Sequence, residues 1–199
     1  VNDDVVTQII GRPFEDYQIT SRSHLISEVK LLAPVVPSKI VAIGLNYKSH
    51  PGKRESPKVP EPFLKTVSSV IGHKDAIVIP IEAIQESVTV QEEAELSVVI
   101  GKRCKRATRD TALNYVLGYT CGNDVSARDW QRDDRNWWRA KSTDTFSPAG
   151  PYIETDIDPH NVRLTTRING SEVQDESTNY LIFDIPTLVS FTSQLVTLE

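Results

Sequence analysis

Polar positions give way to apolar ones in residues 88–102, VTVQEEAELSVVIGK, where Glu92, Glu93 and Glu95 open a run of strand-forming residues. If 93–101 is extended, Glu93, Glu95, Ser97 and Val99 share one face, and Ala94, Leu96, Val98 and Ile100 share the other. Further strands are predicted in VVTQII (5–10), SEVKLLAPV (27–35), KIVAIGLNY (39–47) and LGYTCGNDVS (117–126), with two or three short ones in 63–80. VRLTTRINGSEVQDE (162–176) reads as a hairpin, because Asn169-Gly170 joins two alternating segments as a type I′ turn does. Helical patterns are short: TRDTALNYV (108–116), ARDWQRDDRNWW (127–138) with a frayed end, and DIPTLVSFTSQL (184–195) with Pro186 in its first turn. Strands outnumber helices without a βαβ rhythm, so the prediction is a mainly β fold with short helices. Residues 1–35 form a small β-rich leader and 36–199 the main domain.

Composition narrows the function classes. With 199 residues, 39% hydrophobic and 25% charged, the chain has the make-up of a soluble globular domain. A net charge of -5 argues against a general nucleic-acid binder, which needs a concentrated basic face. No apolar run reaches the ~20 residues that cross a bilayer, and VNDDVVTQII lacks the features of a signal peptide. Cys104 and Cys121 stand apart from other thiols, which indicates neither a disulfide framework nor a zinc cluster and suits a reducing cytosol. A mitochondrial matrix location is the alternative if a transit peptide has been removed. The chain begins with Val, contains no Met and stops at QLVTLE, so it is expected to be a fragment or a trimmed chain.

Two same-face carboxylates repel unless a cation lies between them, and a hard divalent ion prefers such oxygens. From this segment alone a solvated strand mouth is the better reading of Glu93 and Glu95, because Glu-x-Glu is a common pattern. A second segment, GYTCGNDVSARDWQ (118–131), adds Asp124 at a strand end, with Arg128 and Gln131 as donors for an oxyacid. A third, RAKSTDTFSPAGP (139–151), places Lys141 among Trp137, Trp138 and Phe146, where an ammonium can stabilise developing negative charge. His24, His73 and His160 have no companions at ligand spacing and read as structural or surface residues.

The ordered motifs IVAIGLNYKSH, EEAELSVVIGK, GYTCGNDVSARDWQ and WWRAKSTDTFSPAGPYI resemble the fumarylacetoacetate hydrolase family, over Pro37 to the last residue. The resemblance implies a mixed β-roll, usually a homodimer, with a Mg²⁺ or Mn²⁺ site and a small-molecule 2-oxo acid as substrate. It puts the metal on Glu93, Glu95 and Asp124, substrate contacts on Arg128 and Gln131, and the active-site lysine on Lys141. It further implies that His50 is the base that activates water, and that the chain lacks the closing strands of its relatives. Where acylpyruvase-like relatives pair that His with a Glu three residues on, this chain has Lys53, and Glu55 is the nearest acid. Many members have His where this chain has Gln91.

The expected activity is C–C cleavage to a pyruvate enolate, by acylpyruvate hydrolysis or oxaloacetate decarboxylation. Isomerisation or tautomerisation of a 2-oxo dioic acid on the same site is the alternative. So is a non-catalytic metal-binding member; a purely structural Ca²⁺ site explains the acids but not Arg128, Gln131 and Lys141.

Overall fold

The computed structural model describes residues 4–11, 16–49 and 55–199. Contacts divide the chain into two units, Val1–Leu32 and Ala33–Glu199. In the first, β1 (Val5–Gly11) pairs antiparallel with β2 (Tyr17–Leu25), with Val5 opposite Leu25 and Ile9 opposite Ile19. The second strand therefore falls on YQITSRSHL rather than on SEVKLLAPV. β2 is almost wholly exposed and carries little apolar signal, whereas 29–39 has no regular structure. Pro34 and Pro37 remove backbone donors from that apolar stretch, so it cannot complete a ladder.

The second unit is built from short strand pairs. β3 (Ile40–Gly44) runs antiparallel to β4 (Glu61–Lys65), and Ile40 faces Lys65. β5 (Val70–Ile71) is followed by α1 (Ile81–Gln85) and β6 (Val90–Gln91). β7 (Ala94–Ile100) pairs antiparallel with β8 (Val116–Asn123), setting Ala94 opposite Asn123 and Glu95 opposite Gly122. A 3-10 helix at Arg109–Tyr115 precedes β8, and β9 (Ser126–Ala127) pairs with β6. The expected helix at 127–138 is α2 (Arg128–Asp133), and a further helix, α3 (Trp138–Ser142), follows it, so Lys141 is helical. β10 (Ser147–Pro148) joins β5 in parallel, and β11 (Arg163–Ile168) and β12 (Ser171–Ser177) form the hairpin. α4 (Ile185–Leu195) starts at Asp184, whose carboxylate accepts from Thr187 N–H at 3.0 Å, with Pro186 in the first turn.

Two apolar clusters hold this unit. Cys104, Ala107, Ala112, Tyr119, Ile185, Val189 and Leu198 join β8 to α4. Ala83, Val125, Ala127, Trp130, Ala140 and Phe146 pack α1, β9, α2 and α3 together, with Val88 and Val90 against them. Both cysteines are free, Cys104 buried and Cys121 exposed. Among the described residues no helix is long and apolar enough to cross a membrane.

The hairpin turn has the left-handed backbone its sequence predicts, with φ of 51° at Asn169 and 85° at Gly170. A Cβ at Gly170 meets nothing within 4 Å, so its cost is conformational alone. Gly170→Ala is expected to lower stability by about 1 kcal/mol, read as a shift of the urea midpoint at unchanged slope.

Candidate active site

Glu93 stands just before β7 and is fixed by its own backbone. Its N–H donates to Asn123 Oδ1 at 3.0 Å, and its carbonyl accepts from Asp124 N–H at 2.9 Å. These bonds put Glu93 and Asp124, distant in sequence, side by side at the β7–β8 joint. Glu95 follows on the same face. Its cross-strand neighbour is Gly122, where a Cβ would stand 2.3 Å from Ser97 Oγ and 3.6 Å from Glu95 Cβ. Glycine here keeps the acidic face open.

Lys141, 3% exposed, enters from α3 and bridges the two acids. Its ammonium donates to Glu93 Oε2 at 2.7 Å and Asp124 Oδ2 at 2.6 Å, and lies 5.6 Å from the centre of the Phe63 ring. Lys65, 6% exposed, closes the other side by donating to Asp124 Oδ1 and, at 2.9 Å, to the Phe146 carbonyl. Sequence reasoning missed Lys65. Its signal was the two-residue period with Phe63: on β4 these two turn inward while Leu64 is 67% exposed.

Arg128 opens α2 and is ordered by three acceptors. It pairs with Glu93 Oε1, donates from Nε to Gln91 Oε1 at 2.7 Å, and from Nη1 to Gln131 Oε1 at 2.9 Å. Gln91, where many family members have His, thus holds the guanidinium. Asn46, in the loop after β3, pairs both amide atoms with the Phe183 backbone at 2.9 and 3.0 Å. That anchor brings the adjacent Tyr47 into the field of Glu95.

The electrostatics follow from this packing. Burial pushes the Glu95 carboxyl up to about 8, and the charges of Glu93 and Asp124 push it the same way. Burial also acts upward on Glu93, but Lys141 and Arg128 outweigh it and hold that carboxyl below its ordinary value. Burial lowers Lys65, with the Asp124 carboxylate opposing. Tyr47 is raised well above the ordinary phenol value by burial, then by Glu95 and Glu176, so its hydroxyl stays protonated at neutral pH.

Of the predicted site residues, the structure brings together Glu93, Glu95, Asp124, Lys141, Arg128 and Gln131. Glu55 is exposed in a segment without regular structure, and His50 lies outside the described residues. His24, His73 and His160 are exposed. Among the described residues no group of three or more His, Cys, Asp and Glu side chains stands in metal-ligand geometry. The physical reason is that Lys141, Lys65 and Arg128 take oxygens of Glu93 and Asp124. The donor chemistry still fits a hard divalent cation: it is all carboxylate, and Glu95 carries the strain of two like charges, which such an ion relieves.

Comparison with known proteins places this arrangement. The model described as "Fumarylacetoacetate (FAA) hydrolase C-terminal" matches residues 39–199, and one described as "Rv2993c-like, N-terminal" matches residues 1–34. The chain is 42% identical over 191 residues to the mitochondrial oxaloacetate tautomerase fahd2 of Xenopus laevis, covering 91% of this chain and 59% of that protein. The crystal structure of 2-hydroxyhepta-2,4-diene-1,7-dioate isomerase from Mycobacterium marinum matches with a TM-score of 0.87 at 39% identity, over 98% of this chain and 72% of that one. Maleylpyruvate hydrolase from Sphingobium sp. SYK-6, crystallised with manganese(II) and pyruvate, matches with a TM-score of 0.75 at 30% identity, over 89% and 62%. Named relatives are thus tautomerases, isomerases and hydrolases. The chain belongs to the fumarylacetoacetate hydrolase family of enzymes.

Proposed function

We propose that this protein interconverts the enol and keto forms of a short 2-oxo dicarboxylic acid, with oxaloacetate as the leading substrate. The observation that carries the reading is the convergence of Glu93, Glu95, Asp124 and the buried Lys141 at the β7–β8 joint. Tautomerase and isomerase relatives at 42% and 39% identity support it over the C–C cleavage expected from the motifs alone.

In the enol-to-keto direction the hydroxyl proton leaves O2, the oxygen electron pair forms the C2=O bond, and the C2=C3 pair takes a proton at C3. The site then has to stabilise negative charge on O2 and manage one proton. Lys141 has three N–H donors, of which Glu93 and Asp124 take two, leaving the third for O2. Arg128 is held through Nε and Nη1 by Gln91, Gln131 and Glu93, and its Nη2 presents to the distal carboxylate of the acid. Gln131 spends its oxygen on Arg128 and keeps its NH₂ for the same group. Tyr47, protonated throughout, serves as a donor, and His50 is the proposed proton carrier at C3. Glu93, Glu95 and Asp124 would hold Mg²⁺ or Mn²⁺, which supplies Lewis-acid stabilisation of the enolate when bound. Lys141 and Lys65 are buried, Lys141 over the Phe63 ring and Lys65 on the Phe146 carbonyl, and Phe63 meets Trp137 edge-on at 5.1 Å.

The test follows enol-oxaloacetate by its ultraviolet absorbance while pyruvate is assayed in the same sample. The expected result is accelerated loss of the enol without matching pyruvate. Pyruvate formed in step with enol loss restores the cleavage reading.

A further inference from the structure

The hairpin stands out in the sequence, yet the chemistry above uses it only through the charge of Glu176 on Tyr47. β11 lies against β7, and Gln174 of β12 reaches across to the strand that carries the acids. Its Oε1 accepts from Ala94 N–H at 2.7 Å, and its Nε2 donates to the Ala94 carbonyl at 3.0 Å. Ala94 is the residue between Glu93 and Glu95. Glu93 turns its peptide groups toward Asn123 and Asp124, so the next peptide groups point the other way, toward the hairpin. There a primary amide, with donor and acceptor in one plane, does what a neighbouring strand's backbone would do.

The hairpin is built to deliver this side chain. From the Asn169-Gly170 turn, Ile168 pairs with Ser171 and Arg167 with Glu172, but Thr166 pairs with Gln174 rather than Val173. Val173 is the extra residue of a bulge and is 51% exposed, while Gln174 turns inward. Thr166 Oγ1 donates to Gln174 Oε1 at 3.4 Å.

We propose that Gln174 is the positioning residue that sets the spacing of Glu93 and Glu95 for a divalent cation. This rests on reading those two acids, with Asp124, as the cation's ligands. Glu93 and Glu95 project from either side of one peptide pair, so a rotation at Ala94 moves both carboxylates at once. The hydrogen bonds of Gln174 go to the Ala94 peptide groups and Thr166, so its effect on the acids passes through the backbone.

The experiment titrates the protein with Mn²⁺ alone, by calorimetry, in wild type, Gln174→Ala, Gln174→Glu and Arg163→Ala. Gln174→Glu keeps the size and the acceptor but turns an oxygen toward the Ala94 carbonyl. Arg163→Ala removes the bidentate Arg163–Asp175 pair on the same hairpin, at 2.7 Å for each bond, and spares the amide contact. The expected result is a loss of Mn²⁺ affinity of about 10- to 100-fold in both Gln174 variants, with Arg163→Ala within about two-fold of wild type. Wild-type affinity in Gln174→Glu, or an equal loss in Arg163→Ala, overturns the positioning role alone. No Mn²⁺ binding by wild type overturns the reading of the three acids as ligands, and the proposal with it.

Discussion

Lys141→Ala is expected to slow enol–keto conversion by about 10²–10³ in kcat, the usual cost of removing one buried donor to a developing oxyanion. The same change exposes the second role of this ammonium. Lys141 neutralises Glu93 and Asp124 in a buried setting, and breaking such a pair costs about 3–5 kcal/mol. In a chain of this length that corresponds to a fall in Tm of roughly 10 °C in EDTA. Mn²⁺ is expected to restore most of the Tm, because the variant has lost the cation that competes for the same oxygens, while kcat stays low. Melting curves with and without Mn²⁺, beside the enol assay, check both halves. A Tm that Mn²⁺ leaves unrestored contradicts the shared-oxygen arrangement.

Glu95 gives the second large effect, through pH. Its carboxyl is pushed from 4.5 up to about 8 in the folded protein by burial, then by Glu93 and Asp124. Between those values the folded state binds a proton that the unfolded chain has released. Stability without a divalent cation is therefore fullest below the unfolded pKa and lost as pH rises toward about 8, at no more than about 1.4 kcal/mol per pH unit. Glu95→Gln cannot ionise and is expected to flatten this slope, so in EDTA it is more stable than wild type at about pH 9. The same variant is expected to lose Mn²⁺ binding, since the amide removes a charged ligand. Wild type should release close to one proton per Mn²⁺ bound below pH 8, with affinity rising toward that value. Tm against pH in EDTA, for both proteins, is the check. A Tm that rises with pH in wild type contradicts the assigned environment of Glu95.

The acidic face of β7 was legible because its two-residue period is carried by adjacent residues, and the Asn169-Gly170 turn because its chemistry is local. Pro186 marked the first turn of α4 for the same reason. What escaped the sequence rests on distant pairings. Lys65 meets Asp124 59 positions away, Gln174 meets Ala94 80 positions away, and each reads in isolation as an ordinary surface residue. Gln91 looked like a departure from the family pattern until its bond to Arg128 gave it a task. β2 escaped because an exposed polar strand leaves no hydrophobic alternation, and α3 because five residues after Trp137 are too few for a helical period. The choice between cleavage and tautomerisation was not legible either. Both need the same enolate-stabilising groups, and they differ in whether a C–C bond breaks or a proton moves at C3, which those groups alone do not decide.

Proton transfer at the carbon next to a 2-oxo group, with Lys141 stabilising the charge on O2 within the carboxylate cluster, is most directly tested by deuterium exchange at C3 of oxaloacetate. NMR in D₂O with Mg²⁺ would follow exchange and pyruvate together, in wild type and Lys141→Ala, against a protein-free control. The account predicts wild-type exchange well ahead of pyruvate, and exchange at the control rate in Lys141→Ala. Exchange no faster than pyruvate formation, or unchanged exchange in the variant, contradicts it.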